Sequence, residues 1–372
     1  MSEVDEEDML AQMNSMAAAT ARSQQAEIGL EHAANGYVAE GQELNDLLGL
    51  RIGAAVDDII KVALLNPVKD VTSNRGKRIR AKLVALSYRL MAEGTTPSRV
   101  ETVQCRTCAE VVELIHAGSL VVDDIEDGST TRRGKPALHI RYGLPTALNA
   151  GNWLYFWPAQ LIKGLELPSK TALSVYECYH RTLLRAHFGQ ATDLGSRIDR
   201  LLQTRVPEVC LATMDLKTGA LMGFAMMLGA AIGGATEAAI TLLDQFGRDL
   251  GIALQMFDDL GNVLGIREPA KKYEDLVLYR PSWAWGCAAR TSSPQSYEQF
   301  VAAVGKLPDA RELENWIDKH RLIQRMRESA RHRLESALDY LEAGLESKHV
   351  RWSVRGFEEI RELGEEIALA YD

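Results

Sequence analysis

The chain has 372 residues, 46% of them apolar and 25% charged, with a net charge of −9 from 42 basic and 51 acidic side chains. That composition belongs to a globular chain able to bury a sizeable core. The acidic balance argues against a general nucleic-acid binder, whose partner demands a basic field, but it leaves room for an anionic substrate, because a site builds its own local field.

The first 28 residues are acidic and rich in Ala, Met and Gln, and are expected to form a mobile tail. They lack the basic start and apolar run of a signal peptide. No stretch reaches about 18 uninterrupted apolar residues, so no membrane span is expected. Five cysteines at irregular spacing argue against a disulfide framework. Cys105 and Cys108 spell CxxC without a second pair or histidines at finger spacing, and read as small apolar fillers of a helix. The expected setting is a reducing cytoplasm.

From about Ile28 onward, helical periods replace strand alternation, and a single all-α domain is expected over 29–372. Turn signals punctuate it at Asn66-Pro67, Gly94–Pro97 and Leu167-Pro168. Cys108, Val111, Val112, Ile115, Ser119 and Val122 fall on one helical face. Thr218–Ala235 is apolar all round and glycine-rich, the mark of a buried helix approached closely by other backbone. Residues 311–345 read as one amphipathic helix, with Leu313, Trp316, Ile317, Met326, Ala330, Leu334, Ala337 and Leu341 facing inward.

Two acidic clusters follow apolar helical runs. In the first, Asp123 and Asp127 share a face one turn apart, with Asp124 beside them. Crowded carboxylates repel unless cations sit between them. Hard oxygen donors in small number suit Mg²⁺, which completes its shell with water and substrate phosphates. In the second, Asp258 and Asn262 repeat the one-turn spacing, Asp259 adjoins them, and Gln255 lies one turn before Asp259. Two such arrays facing each other would hold several Mg²⁺ ions and a diphosphate. Basic groups complete the pattern: Arg132-Arg133, the patch Arg75–Arg80, and Lys217 ahead of Thr218. Arg and Lys are the phosphate-binding side chains, and two diphosphates, one bound through metal and one directly, would use both kinds of group.

These residues give the chain its resemblance to the trans-type isoprenyl (polyprenyl) diphosphate synthases. Four signatures carry it: Gly76–Arg80; Asp123–Asp127 with Arg132–Pro136; Gly189-Gln190 with Asp193; and Lys217-Thr218 with Gln255–Asp259. The resemblance covers about residues 40–345. It implies an all-α bundle of the isoprenoid-synthase type around a central apolar cavity, assembled as a homodimer. It also implies condensation of isopentenyl diphosphate with an allylic diphosphate, with three Mg²⁺ per site. By position, Asp123, Asp127 and Asp258 resemble the metal ligands, supported by Asp124 and Asp259. Arg132, Lys217, Thr218 and Gln255 resemble contacts to the allylic diphosphate. Lys77, Arg80, His116 and Arg133 resemble the isopentenyl diphosphate site.

Four positions depart from the family. Asn262 replaces an aspartate, which keeps an oxygen ligand but removes a charge and implies a weaker second metal site. Of two downstream lysines, Lys272 or Lys271 supplies the first, and Arg280 stands at the second. Asn152 replaces an aspartate, and Ala81 a proline. Two alternatives follow: a class I terpene synthase that ionises and cyclises one allylic diphosphate, and a non-catalytic subunit of a heteromeric synthase. Retention of Lys77, Arg80, His116 and Arg133 favours condensation. Gly118 and Ser119 lie about one turn below Asp123, where small residues leave room for a product of about 20 carbons or more, of the geranylgeranyl class.

Overall fold

The computed structural model describes residues 42–74, 76–92, 96–266, 271–347 and 350–371; the expected tail over 1–28 and Arg75 of the basic patch lie outside them. Among the described residues every regular element is helical except one two-stranded hairpin. The chain divides into two compact units, Met1–Ala81 with Arg99–Ala172, and Lys82–Ser98 with Leu173–Asp372.

The first unit is organised by the helix Arg99–Glu126. Its buried positions Val111, Leu114, Ile115, Gly118 and Val121 recur at three- and four-residue steps and form one apolar stripe. Leu114 and Val121 share a core with Ala147, Ala150 and Leu154 of the helix Leu144–Phe156. Gly118 permits this contact. A Cβ there would sit 2.9 Å from both the Gly151 carbonyl oxygen and Leu154 Cβ, closer than any side chain tolerates. This corrects the reading of Gly118 as an open cavity wall: the space it leaves is filled by the neighbouring helix.

The helix stops where Gly128 turns into the left-handed region at φ 65° and the Ser129 N–H donates to the Asp124 carbonyl at 2.9 Å. Asp123, Asp124 and Asp127 therefore occupy its last turn and the residue beyond. The RRGKP sequence then folds into a tight antiparallel hairpin, Thr131–Arg132 against Lys135–Pro136, with Arg132 opposite Lys135. Both loop residues, Arg133 at φ 51° and Gly134 at φ 75°, lie at positive φ, as two-residue hairpin turns of the primed type require.

The second unit is organised by the helix Glu237–Leu264. Thr236 caps it, its hydroxyl accepting from the Ala239 N–H at 3.3 Å, and Gly265 at φ 71° ends it. It packs against the helices Ala220–Ile232 and Leu322–Ser347. The glycine-rich helix Ala220–Ile232 is buried at twelve of its thirteen positions, as its apolar composition predicts. The longer stretch Gln203–Ile232 is the described run whose length and apolarity would suit a bilayer, yet 67% of its 18-residue apolar window is buried inside the protein, as in a core helix. The segment expected as one helix over 311–345 is two, Arg311–His320 and Leu322–Ser347. Arg321 breaks it at φ 51°, with its N–H returning to the Asp318 and Ile317 carbonyls. Neither glycine nor proline marks that break.

The five cysteines are free thiols. Burial, with Cys105 alongside, pushes the Cys108 thiol well above its usual range, so Cys108 offers no reactive thiolate.

Candidate active site

In the first unit a cleft opens beside the last turns of the Arg99–Glu126 helix. Its walls include Asn74, Gly76, Arg78, His116, Arg132 and Arg133. Across the whole lining five basic side chains meet four acidic ones, a cationic excess inside an acidic chain. Arg78 pairs with Glu110, and Arg133 donates to the Asn74 carbonyl. Arg78 and Arg133 both hold φ near 51°, a conformation costing roughly 1–2 kcal/mol for such residues.

Burial, with the positive charges of Arg80, Arg133 and Arg132, pushes the His116 imidazole well below its usual range. His116 is therefore neutral at physiological pH, able to donate or accept a hydrogen bond without adding charge. Of the basic residues expected here, Arg133 and His116 line the cleft. Arg80 lies near enough to act on His116, while Lys77 is exposed and outside the lining. Arg78, not singled out in the sequence, takes a place on the wall.

The aspartates divide by burial. Asp127 is exposed and Asp123 half-buried, whereas Asp124 is only 3% exposed. Asp124 accepts from Arg132 Nε at 2.9 Å and again from its terminal nitrogen. Arg132, expected on a diphosphate, is thus engaged by the helix that precedes it, and the pair pins hairpin to helix. Tyr155 stands near Asp123: burial, then the charges of Asp123 and Glu126, raise its phenol above the usual range. Nothing in its sequence context announces that placement.

In the second unit Lys217 and Thr218 sit on a π-helical turn, Asp215–Gly219, a local widening common at functional sites. Arg248 Nε clamps Asp215 at 2.8 Å, with Arg185 at 3.4 Å. Lys217 Nζ donates to Asp193 Oδ2 at 2.7 Å, and Arg280 donates to the Asp193 carbonyl at 2.9 Å. Asp193 therefore gathers the two cations that sequence spacing leaves 63 residues apart. Lys272, expected to join them, instead donates to Glu314 at 2.9 Å.

Gln255, expected on the allylic diphosphate, has both ends of its amide engaged within the protein. Its oxygen accepts from Thr218 at 2.8 Å and its nitrogen donates to Asp259 at 2.8 Å. The second Asp259 oxygen accepts from the Trp283 N–H at 2.5 Å. Burial, then the charges of Asp275 and Asp258, hold the Asp259 carboxyl well above the usual carboxylate range, opposed by these two hydrogen bonds. Asp259 is thus a buried anchor, and Asp258, half-buried on the adjacent face, is the carboxylate of this pair with access to a ligand. The Tyr371 hydroxyl donates to Asp258 Oδ1. Asn262 donates to the Lys271 carbonyl at 3.0 Å, while its own Oδ1 is buried without a hydrogen-bond partner.

Among the described residues no group of three or more His, Cys, Asp or Glu side chains converges as a protein-only metal cage. The oxygen donors stand in small sets, which fits a hard cation that takes one or two carboxylates and fills its shell with water and phosphate oxygens.

Residues 61–319 match the family described as Polyprenyl synthetase. The chain is 31% identical over 229 residues to a geranylgeranyl diphosphate synthase of Sulfolobus acidocaldarius, a match covering 59% of this chain and 65% of that protein. It is 33% identical over 233 residues to a short chain isoprenyl diphosphate synthase of Methanothermobacter thermautotrophicus, covering 62% and 68%. The matched stretch thus spans about two thirds of these relatives' length. The fold is shared with a geranylgeranyl pyrophosphate synthase of Corynebacterium glutamicum solved with isoprenyl diphosphate and magnesium, at TM-score 0.68 and 21% identity, over 93% of this chain and 98% of that one.

Proposed function

The chain belongs to the polyprenyl synthetase family, and from that premise we propose that it condenses isopentenyl diphosphate with an allylic diphosphate to give a longer trans-prenyl diphosphate of the geranylgeranyl class. The observation that carries this reading is the Asp123 and Asp127 pair at the end of its helix, in the same unit as a cationic cleft containing Arg133 and a neutral His116.

In the first unit Asp123 and Asp127 are the residues that would hold Mg²⁺; in the second, Asp258 would do so, with Asn262 an uncharged oxygen donor one turn on, and three ions in all are proposed. When bound, Mg²⁺ neutralises the diphosphate charge that builds as the allylic C–O bond breaks. Lys217 and Arg280, gathered on Asp193 in the second unit, offer fixed positive charge to a diphosphate leaving group. The cleft around Arg78 and Arg133 binds the second diphosphate directly. His116 donates a hydrogen bond there without protonation. The isopentenyl double bond attacks the allylic carbon, and a proton is lost from the adduct, so no protein nucleophile is required. Ser119, half-buried one turn below Asp123, is the position on this helix that we assign to product length.

Pairing with a second copy is also proposed. Leu144, Leu148 and Phe156 recur every four or eight residues along one helix and are 53%, 38% and 70% exposed, a row that an identical partner would cover. Sedimentation equilibrium should give a dimer, and Leu148→Asp should shift it toward monomer.

The deciding experiment incubates purified protein with Mg²⁺, labelled isopentenyl diphosphate and allylic primers of increasing length, then sizes the products. Elongation to about 20 carbons is expected. No elongation with any primer refutes condensation, and hydrocarbon released from an allylic diphosphate alone would establish cyclisation instead.

A further inference from the structure

We infer that Tyr371 is a positioning residue for Asp258, orienting the carboxylate of the second acidic cluster toward its cation. This rests on the functional reading above, and in particular on Asp258 as a metal ligand. Three observations meet at this residue. Tyr371 is 1% exposed, its ring stacked on Phe257 at 5.9 Å with 19° between planes. Its hydroxyl, which must find a partner once buried, donates to Asp258 Oδ1. Its carbonyl accepts from Arg327 at 3.3 Å, which ties the segment beyond the helix Val354–Leu369 to the helix Leu322–Ser347.

The sequence of the acidic cluster admits this ring. Gly261 lies beneath it, and a Cβ at that position would stand 2.7 Å from Tyr371 Cε1. A side chain at 261 would push the ring off Phe257 and the hydroxyl off Asp258. The neighbouring oxygen donor, Asn262, has its amide nitrogen committed to Lys271. A residue 113 positions away in sequence therefore provides the orienting hydrogen bond. Hydrogen bonds of this kind fix the plane of a ligating carboxylate before the ion arrives, and their loss weakens metal affinity by about 10- to 100-fold.

The test compares wild type, Tyr371→Phe and Gly261→Ala by thermal unfolding across a Mg²⁺ titration at fixed inorganic diphosphate. Tyr371→Phe keeps the ring and its stacking and removes only the hydroxyl. Its Tm without Mg²⁺ should stay within about 4 °C of wild type, while the Mg²⁺ concentration for half the stabilising shift rises about ten-fold or more. Gly261→Ala should raise the midpoint similarly. In the elongation assay the same variants should need correspondingly more Mg²⁺. A Tyr371→Phe midpoint equal to or below wild type, in an enzyme that still elongates, overturns the positioning role and leaves condensation standing. A wild type that neither elongates nor responds to Mg²⁺ with diphosphate overturns both.

Discussion

Gln255 joins Thr218 to Asp259, accepting from the threonine hydroxyl at 2.8 Å and donating to the carboxylate at 2.8 Å. The π-helical turn that carries Lys217 is thereby tied to the acidic cluster on the helix Glu237–Leu264. Replacing Gln255 with Leu leaves a buried carboxylate short of a donor, at a cost of about 1–3 kcal/mol. The urea midpoint should fall accordingly, together with elongation activity. An unchanged midpoint would show that the amide bridge does not hold Asp259.

Asp124 and Asp127 should separate stability from turnover. Asp124→Ala removes the carboxylate through which Arg132 pins the hairpin to the helix, so it should lower stability by about 1–3 kcal/mol as well as activity. Asp127→Asn, at an exposed position, should leave the denaturation midpoint near wild type and reduce elongation by about 100-fold or more. Equal losses of stability in both variants would contradict the division of labour drawn from their burial.

Product length should respond to Ser119 rather than Gly118. Gly118→Ala forces a methyl against the Gly151 carbonyl and Leu154. Overpacking of that kind costs about 1–3 kcal/mol, and the product should keep its length. Ser119→Phe should shorten the product, as chromatography of the dephosphorylated alcohols would reveal. A shorter product from Gly118→Ala would return that glycine to the cavity wall.

His116 predicts a pH dependence of stability. Its folded pKa is depressed by burial and by Arg80, Arg133 and Arg132, so below about pH 6.5 the unfolded chain takes up a proton that the folded chain refuses. The contribution is complete above that pH and is lost as pH falls toward the folded value, with a slope of at most about 1.4 kcal/mol per pH unit. Denaturant unfolding between pH 7.5 and 5.5 should show a smaller decline for His116→Gln than for wild type. Parallel declines would place His116 outside the titration.

The sequence by itself determined the helical class, the buried glycine-rich helix, and the two acidic clusters with their helical spacing. Each depends on residues within a few turns of one another, where a 3.6-residue period, a glycine cap or an i, i+4 pair carries the physical information. The tertiary structure alone decided what each charged side chain faces. Asp124 and Asp259 turn inward to Arg132 and to Gln255 with Trp283, while Asp123, Asp127 and Asp258 stay more accessible. Gly118 joins two helices, Asp193 collects Lys217 and Arg280, and Tyr371 reaches Asp258 across 113 positions. The reason is that burial and hydrogen-bond partners are properties of residues distant in the chain brought together by packing, and no local pattern encodes which of two adjacent aspartates the core will claim.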